Sequence, residues 1–326
     1  TTSGNIAIGI EAGASMTSSG GVNILIGGDA GKSLTSGSYN IAIGSGALDA
    51  STVGDDNIAI GLNALGSLDT AGSDDGDSNI AIGTSAGMSA TTMDGAVLIG
   101  HEAGKAITTG DSNVFVGPYS GAATTTGTMN VGLGHRALAT NIDGDGSVAI
   151  GHEALRFLEP SDGHTNNTAV GFGAGKNTTT GTSNTTIGLQ AGTNMTTGGN
   201  NTALGANALL LNNVGTDNVA VGQSSLSANV DGSKSVAVGT SSLESQDPSG
   251  ATDMYNVAIG QKAGQEVTTG IKNTVVGGLA GDAITTGSGN TALGYKAAFS
   301  AVGAANQTVI GNGAAGHGDN IVTIGN

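Results

Sequence analysis

Asn40-Ile41-Ala42-Ile43-Gly44 returns as Asn57-Ile58-Ala59-Ile60-Gly61, as Asn79-Ile80-Ala81-Ile82-Gly83, and as Asn218-Val219-Ala220-Val221-Gly222. Diluted copies run from Asn5 to Gly325, and most successive final glycines are 17 residues apart (Gly44 and Gly61, Gly100 and Gly117, Gly188 and Gly205). A short fixed period that fills a chain is the signature of a solenoid. The spacing predicts an all-β, parallel β-solenoid (a β-roll or β-helix) of about 19 coils, roughly 90 Å long at the strand spacing. One repeat domain is expected over residues 1–326, because stacked coils lengthen without needing a second core.

Each position of the unit carries its own physical reading. Ile, Val or Leu always precedes the glycine (Ile43, Ile60, Val116, Leu133), and Ile, Val or Thr stands two residues earlier. Alternation at period two puts both on one face of a strand, and their bulk assigns that face to the core. The residue between them is usually Ala, a poor strand former, so its persistence suggests close approach of another backbone. Leu25, Leu98 and Phe115 are exceptions. Asn opens most units, and Asn40, Asn57, Asn184, Asn218 and Asn256 are expected to stack as an amide ladder from coil to coil. Gly44 and Gly61 supply the exit turn.

The second half of the unit comes in two kinds. In one, Ala-Gly follows the anchor, as in Ala103-Gly104, and an apolar residue stands seven after it (Met16, Leu34, Ile107, Met195, Val267, Ile284). In the other, Leu replaces that Gly (Leu48, Leu138, Leu209) and the later place is polar or small, as at Ser51. One interior space filled from either of two places would conserve volume, an exchange that cores tolerate. The period stretches at residues 66–78, 156–166 and 244–255, five units apart, giving a higher-order repeat closed by longer loops. Those loops carry Pro160, Pro248, Phe157, Tyr255 and the acidic run Asp74-Asp75, and loops on a rigid scaffold are frequent binding sites.

Composition narrows the functional classes. Aromatics are 2% and Gly is 60 of 326 residues, which suits a narrow interior of small side chains. A net charge of −16 opposes binding to nucleic acid, which needs Lys and Arg against phosphate, and to anionic membrane surfaces. No apolar run is long enough to span a bilayer. The absence of Cys removes disulfides, thiol nucleophiles and thiolate metal sites, and fits an extracellular, cell-surface or virion setting. The start at Thr1 and the stop part-way through a repeat are read as those of a processed product or a fragment.

Ser147-Val148-Ala149-Ile150-Gly151 and Ser235-Val236-Ala237-Val238-Gly239 resemble the head repeats of trimeric autotransporter adhesins of the YadA type. Asn290-Thr291-Ala292-Leu293-Gly294-Tyr295-Lys296-Ala297 is similar to repeats common in bacteriophage tail fibres. The resemblance implies a left-handed parallel β-roll, a homotrimer, and use as an adhesin head or fibre shaft that meets a host-surface or glycan receptor. The period here is longer than that of the adhesin repeat.

Little in the chain points to catalysis, and no catalytic residue is assigned. Gly31-Lys32-Ser33 lacks the first glycine of a phosphate loop, and Gly311 to Gly316 matches a dinucleotide fingerprint with no helix pattern after it. His101, His135 and His152 each follow an anchor glycine, so His135 and His152 fall on adjacent coils, where stacked imidazoles could hold a transition metal. Surface turn residues are the simpler reading. Asp143-Gly144-Asp145-Gly146 and Asp74-Asp75-Gly76-Asp77 could offer oxygens to calcium but lack the spacing of a calcium loop. The expected function is a non-catalytic fibre or adhesin shaft that mediates attachment through self-association. Two alternatives stand beside it. One is a filament grown by end-to-end stacking; the other is ice or mineral binding by Thr rows such as Thr108-Thr109 and Thr179-Thr180.

Overall fold

The structure, a computed structural model, describes residues 4–17, 20–69, 76–159 and 163–325. The chain forms an all-β parallel solenoid with a 17-residue period, and no helix occurs among the described residues. It falls into two units, Thr1–Asn166 and Asn167–Asn326. Asp74, Asp75 and Pro160, singled out above, lie outside the described residues.

In the first unit nine three-residue strands, from Ile6–Ile8 to Val148–Ile150, pair in parallel with each repeat in register. Ala42 lies beside Ala59, and Ile43 beside Ile60. The pairing continues around the coil: the Thr35 N–H donates to the Thr52 carbonyl at 2.8 Å, and the Gly31 N–H to Ala47 at 2.9 Å. In the second unit ten such strands, from Thr168–Val170 to Val322–Ile324, stack in the same way. Gly232–Ser233 and Thr252–Asp253 add a short second ladder there.

The faces of the strand are the reverse of the bulk-based expectation. Ala42, Ala59, Ala81 and Ala149 are fully buried, whereas Ile41, Ile43, Ile58 and Ile60 are only half-buried and point outward. The coil is too thin at this rung for a branched side chain on every level. The interior takes the small residue, and the two aliphatics form a stripe on the outside. Ala is therefore small because it faces its own coil's opposite wall.

That wall explains the two kinds of unit. Leu34 and Ile107 fill the interior from seven after the anchor, while Leu48 and Leu138 fill it from four after. The Leu form is conformationally costly, since Leu48, Leu138 and Leu209 have φ of 55°, 52° and 48°. A left-handed non-glycine residue costs about 1–3 kcal/mol, and burying a Leu side chain returns about 1.5–3 kcal/mol. The balance is close, so either solution persists in the repeat.

The exceptions Leu25, Leu98 and Phe115 are interior residues too, each fully buried. Phe115 has Gly132 beside it in the next strand, where a Cβ would come within 2.9 Å of the ring. At the anchor glycines the restriction comes from backbone. Gly44 has φ 136°, and a Cβ there would lie 2.4 Å from the Gly61 carbonyl oxygen.

The Asn ladder is present. The Asn57 N–H donates to Asn40 Oδ1 at 3.0 Å, that of Asn218 to Asn201 Oδ1 at 3.0 Å, and that of Asn273 to Asn256 Oδ1 at 2.9 Å. Each Nδ2 donates to a carbonyl further round the coil, as Asn40 to Gly54 at 2.7 Å and Asn184 to Gly198 at 2.9 Å. These buried amides satisfy backbone groups at corners where no sheet partner exists. The left-handed residue is the one before the Asn (Tyr39 φ 62°, Asp56 φ 57°), not the Asn itself.

Candidate functional site

The corner after each strand turns through the anchor glycine and a left-handed residue two places on, leaving the side chains of the two following positions exposed or half-buried on most coils, with Glu153 a buried exception. Backbone bonds repeat this corner coil over coil: the Tyr119 N–H donates to the His101 carbonyl at 2.9 Å, Arg136 to Pro118 at 3.0 Å, and Glu153 to His135 at 2.9 Å. The scaffold thus lines up whatever side chains the sequence supplies.

Over four consecutive coils of the first unit it supplies rings. His101 and Tyr119 meet edge to face with centroids 5.2 Å apart, Tyr119 and His135 likewise at 6.1 Å, and His135 stacks on His152 at 5.0 Å. The Arg136 guanidinium lies 5.8 Å from the Tyr119 ring centre. Arg156 pairs with the buried Glu153 and covers Phe157 at 4.7 Å. Lys105 pairs with Glu102 at 3.1 Å, and the His101 Nε2 stands 3.8 Å from the same carboxylate. Burial of its ring, followed by the charges of Arg136 and His152, holds the His135 pKa below the ordinary imidazole value. The unfolded chain then takes up that proton first, so the His135 contribution to stability is lost as pH falls through about 6.5.

No family model and no curated protein matches the chain.

The structure brings His135 and His152 together but leaves Asp143 and Asp145 out of their group. Asp143 is exposed in a turn, and Asp145 accepts from the Thr128 N–H at 2.6 Å, with His164 3.7 Å away. Among the described residues no set of three or more His, Cys, Asp or Glu converges as metal ligands. Tyr119 and Arg136 escaped the sequence reading, because Pro118 takes the place after the anchor and pushes the ring one position along. The signal was there: both arginines of the chain lie within 21 residues, Arg136 to Arg156.

A second row runs along the corner before the strand. Asp55, Asp77, Asp94 and Asp111 stack on successive coils, each carboxylate accepting the N–H of the preceding coil: Ser38 to Asp55 at 2.6 Å, Asp55 to Asp77 at 2.7 Å, Asp77 to Asp94 at 2.8 Å, and Asp94 to Asp111 at 2.9 Å. These bonds serve the backbone. Burial, with help from the Asp55 and Asp94 charges, pushes the Asp77 carboxyl above its usual range in spite of the N–H it accepts. A raised folded-state pKa means that the ionised form weighs against folding, and that this penalty fades as pH falls toward the ordinary carboxylate value. Asp77→Asn keeps the acceptor and removes the charge. It should stabilise by about 0.2–1 kcal/mol at pH 7, with the gain shrinking toward pH 4. Thermal melts at the two pH values check this, and a less stable variant at pH 7 would contradict it.

The remaining candidates are occupied structurally. Lys32 is paired with Glu11 and Asp29, not poised over a phosphate-binding helix. The first Thr of each Thr-Thr pair turns its hydroxyl onto the next coil, as Thr108 Oγ1 to Thr125 O at 3.1 Å and Thr179 Oγ1 to Thr196 O at 3.1 Å. Loop 244–255 is tied down by Gln246, whose Oε1 accepts from Asn256 Nδ2 at 2.9 Å inside the coil. No helix among the described residues is long and apolar enough to cross a membrane.

Proposed function

We propose that the protein is a non-catalytic fibre or adhesin segment, working outside a cell or on a virion, and built by lateral association of copies of this chain. The outward aliphatic stripe carries this reading. In the first unit both outer positions of all nine strands are Ile, Val or Leu, with no charged or polar side chain among them. Soluble monomers rarely leave so continuous an apolar surface uncovered. At roughly 40 Å² for each of these side chains the stripe offers about 700 Å², near the approximately 800 Å² that each partner gives to a standard interface.

A second copy fits the stripe better than another partner. Its own stripe has the same rise per coil, so ridges on one meet grooves on the other along the whole length, a self-complementary contact. A net charge of −16 opposes polyanions such as nucleic acid and anionic membrane surfaces, whereas the stripe itself is uncharged. Three copies is the number that the resemblance to adhesin heads implies.

The native mass decides. Sedimentation equilibrium should give two or more times the mass of the 31.1 kDa chain. The Val114→Glu, Val116→Glu double variant, altered only on the outer face, should move toward monomer while keeping its β-sheet circular dichroism. A monomeric wild type sinks the reading, and long unbranched filaments in electron microscopy would replace it with end-to-end assembly.

A further inference from the structure

We propose that the ring row His101, Tyr119, His135 and His152, together with Arg136, is a binding strip for a saccharide bearing a carboxylate. This rests on the attachment reading for its biological use, but the binding itself is a property of the isolated protein.

Folding does not require rings at this corner. Elsewhere the position after the anchor glycine ranges from Gly28, Ser45 and Gln261 to Leu62, Phe172 and Tyr295, so the fold accepts almost any side chain there. Yet in a chain with 2% aromatics, three of five histidines, one of four tyrosines and both arginines gather on coils between residues 101 and 156. The side chains also do little for one another, since ring pairs of this kind contribute only about 0.5–1.5 kcal/mol. A concentration that the scaffold does not demand calls for a ligand.

Its chemistry follows from the groups presented. His135 and His152 stack on each other, so their outward atoms are ring edges carrying nitrogen donors and acceptors. Such edges suit hydroxyl groups at successive levels. Tyr119 stands nearly perpendicular to both neighbours, at 82° and 86°, and adds a differently oriented ring surface to the row. Arg156 is committed to Glu153. Arg136 is the arginine with no carboxylate partner among the described residues, and its guanidinium is held over Tyr119. An arginine fork binds a planar carboxylate through two parallel hydrogen bonds. One free fork beside a row of hydroxyl-binding edges fits one carboxylate on a polyhydroxylated ligand. A polyphosphate would need many cations, and a chain with a net charge of −16 and one unpaired arginine at this strip does not supply them.

The test uses the whole chain and three probes: sialyllactose and glucuronate, which carry the carboxylate on different sugars, and lactose, which has none. Binding followed through the histidine ring protons by NMR should be seen for at least one acidic probe, about tenfold tighter than for lactose. Arg136→Gln should weaken that binding about tenfold, and Arg136→Lys should recover only part of it, because an ammonium cannot make the paired bonds. Tyr119→Ala should weaken the acidic probe and lactose alike. Lys272→Gln, on the other unit, should change nothing. Equal affinity for lactose, undiminished binding by Arg136→Gln, or no binding of either acidic probe overturns the proposal. None of these outcomes touches the fibre reading, which stands or falls on the native mass measured for the same samples.

Discussion

Phe115→Ala should destabilise the first unit by about 3–5 kcal/mol, the range for emptying a large buried aromatic site. The reason is local and can be tested by repair. Phe115 is fully buried and occupies the place that Ala holds in most strands, with Gly132 beside it in the next strand. Leu25 is the milder version of the same exception, and the next strand there carries Ala42 without difficulty. Phe115→Leu combined with Gly132→Ala would copy the Leu25–Ala42 pair. That double variant should fall within about 1.5 kcal/mol of wild type, as volume-conserving exchanges do. Gly132→Ala alone should cost about 1–3 kcal/mol by overpacking, since its Cβ would meet both Phe115 and the Ser120 hydroxyl. Urea unfolding of wild type, Phe115→Leu, Gly132→Ala and the double variant gives the coupling. Additive costs for the two single changes, with no recovery in the pair, would show that residues 115 and 132 do not share one space.

Asn184→Ala should cost about 2–6 kcal/mol, because it strands two buried backbone groups at once, each worth about 1–3 kcal/mol when left unpaired. The Asn201 N–H, which donates to Asn184 Oδ1 at 2.9 Å, loses its acceptor, and the Gly198 carbonyl loses the Nδ2 donor at 2.9 Å. Asn177 provides the contrast. It also pairs with an asparagine one coil on, Asn194 at 2.8 Å, but at a half-buried outer position that water can reach. Asn177→Ala should stay within about 1 kcal/mol of wild type. Thermal and urea unfolding of both variants decide the point. Equal effects would mean that the interior ladder contributes no more than a surface amide pair.

Much of the fold could be read without coordinates because a 17-residue repeat sets the same few contacts again and again. The period placed Asn40 over Asn57, and the exchange of Leu34 for Leu48 across two kinds of coil revealed a shared interior. It failed at the strand faces. Alternation separates Ile41 and Ile43 from Ala42, but it does not say which side is inside. Bulk is a guide only where the core is thick enough to take it. The candidate site was half visible. Spacing alone put His135 next to His152, while Tyr119 was masked by a one-residue offset and Arg136 by its ordinary appearance as a turn residue.

By itself, then, the sequence determined that the chain coils, at what period, with which residues stacked, because register in a repeat is a matter of counting. Only the tertiary structure decided that Ala faces inward and the aliphatics outward, and that four rings from separate coils form one row. Both depend on how wide the coil is and on where its corners turn the side chains. Those are properties of the opposite wall and the neighbouring coils, and a single unit does not contain them.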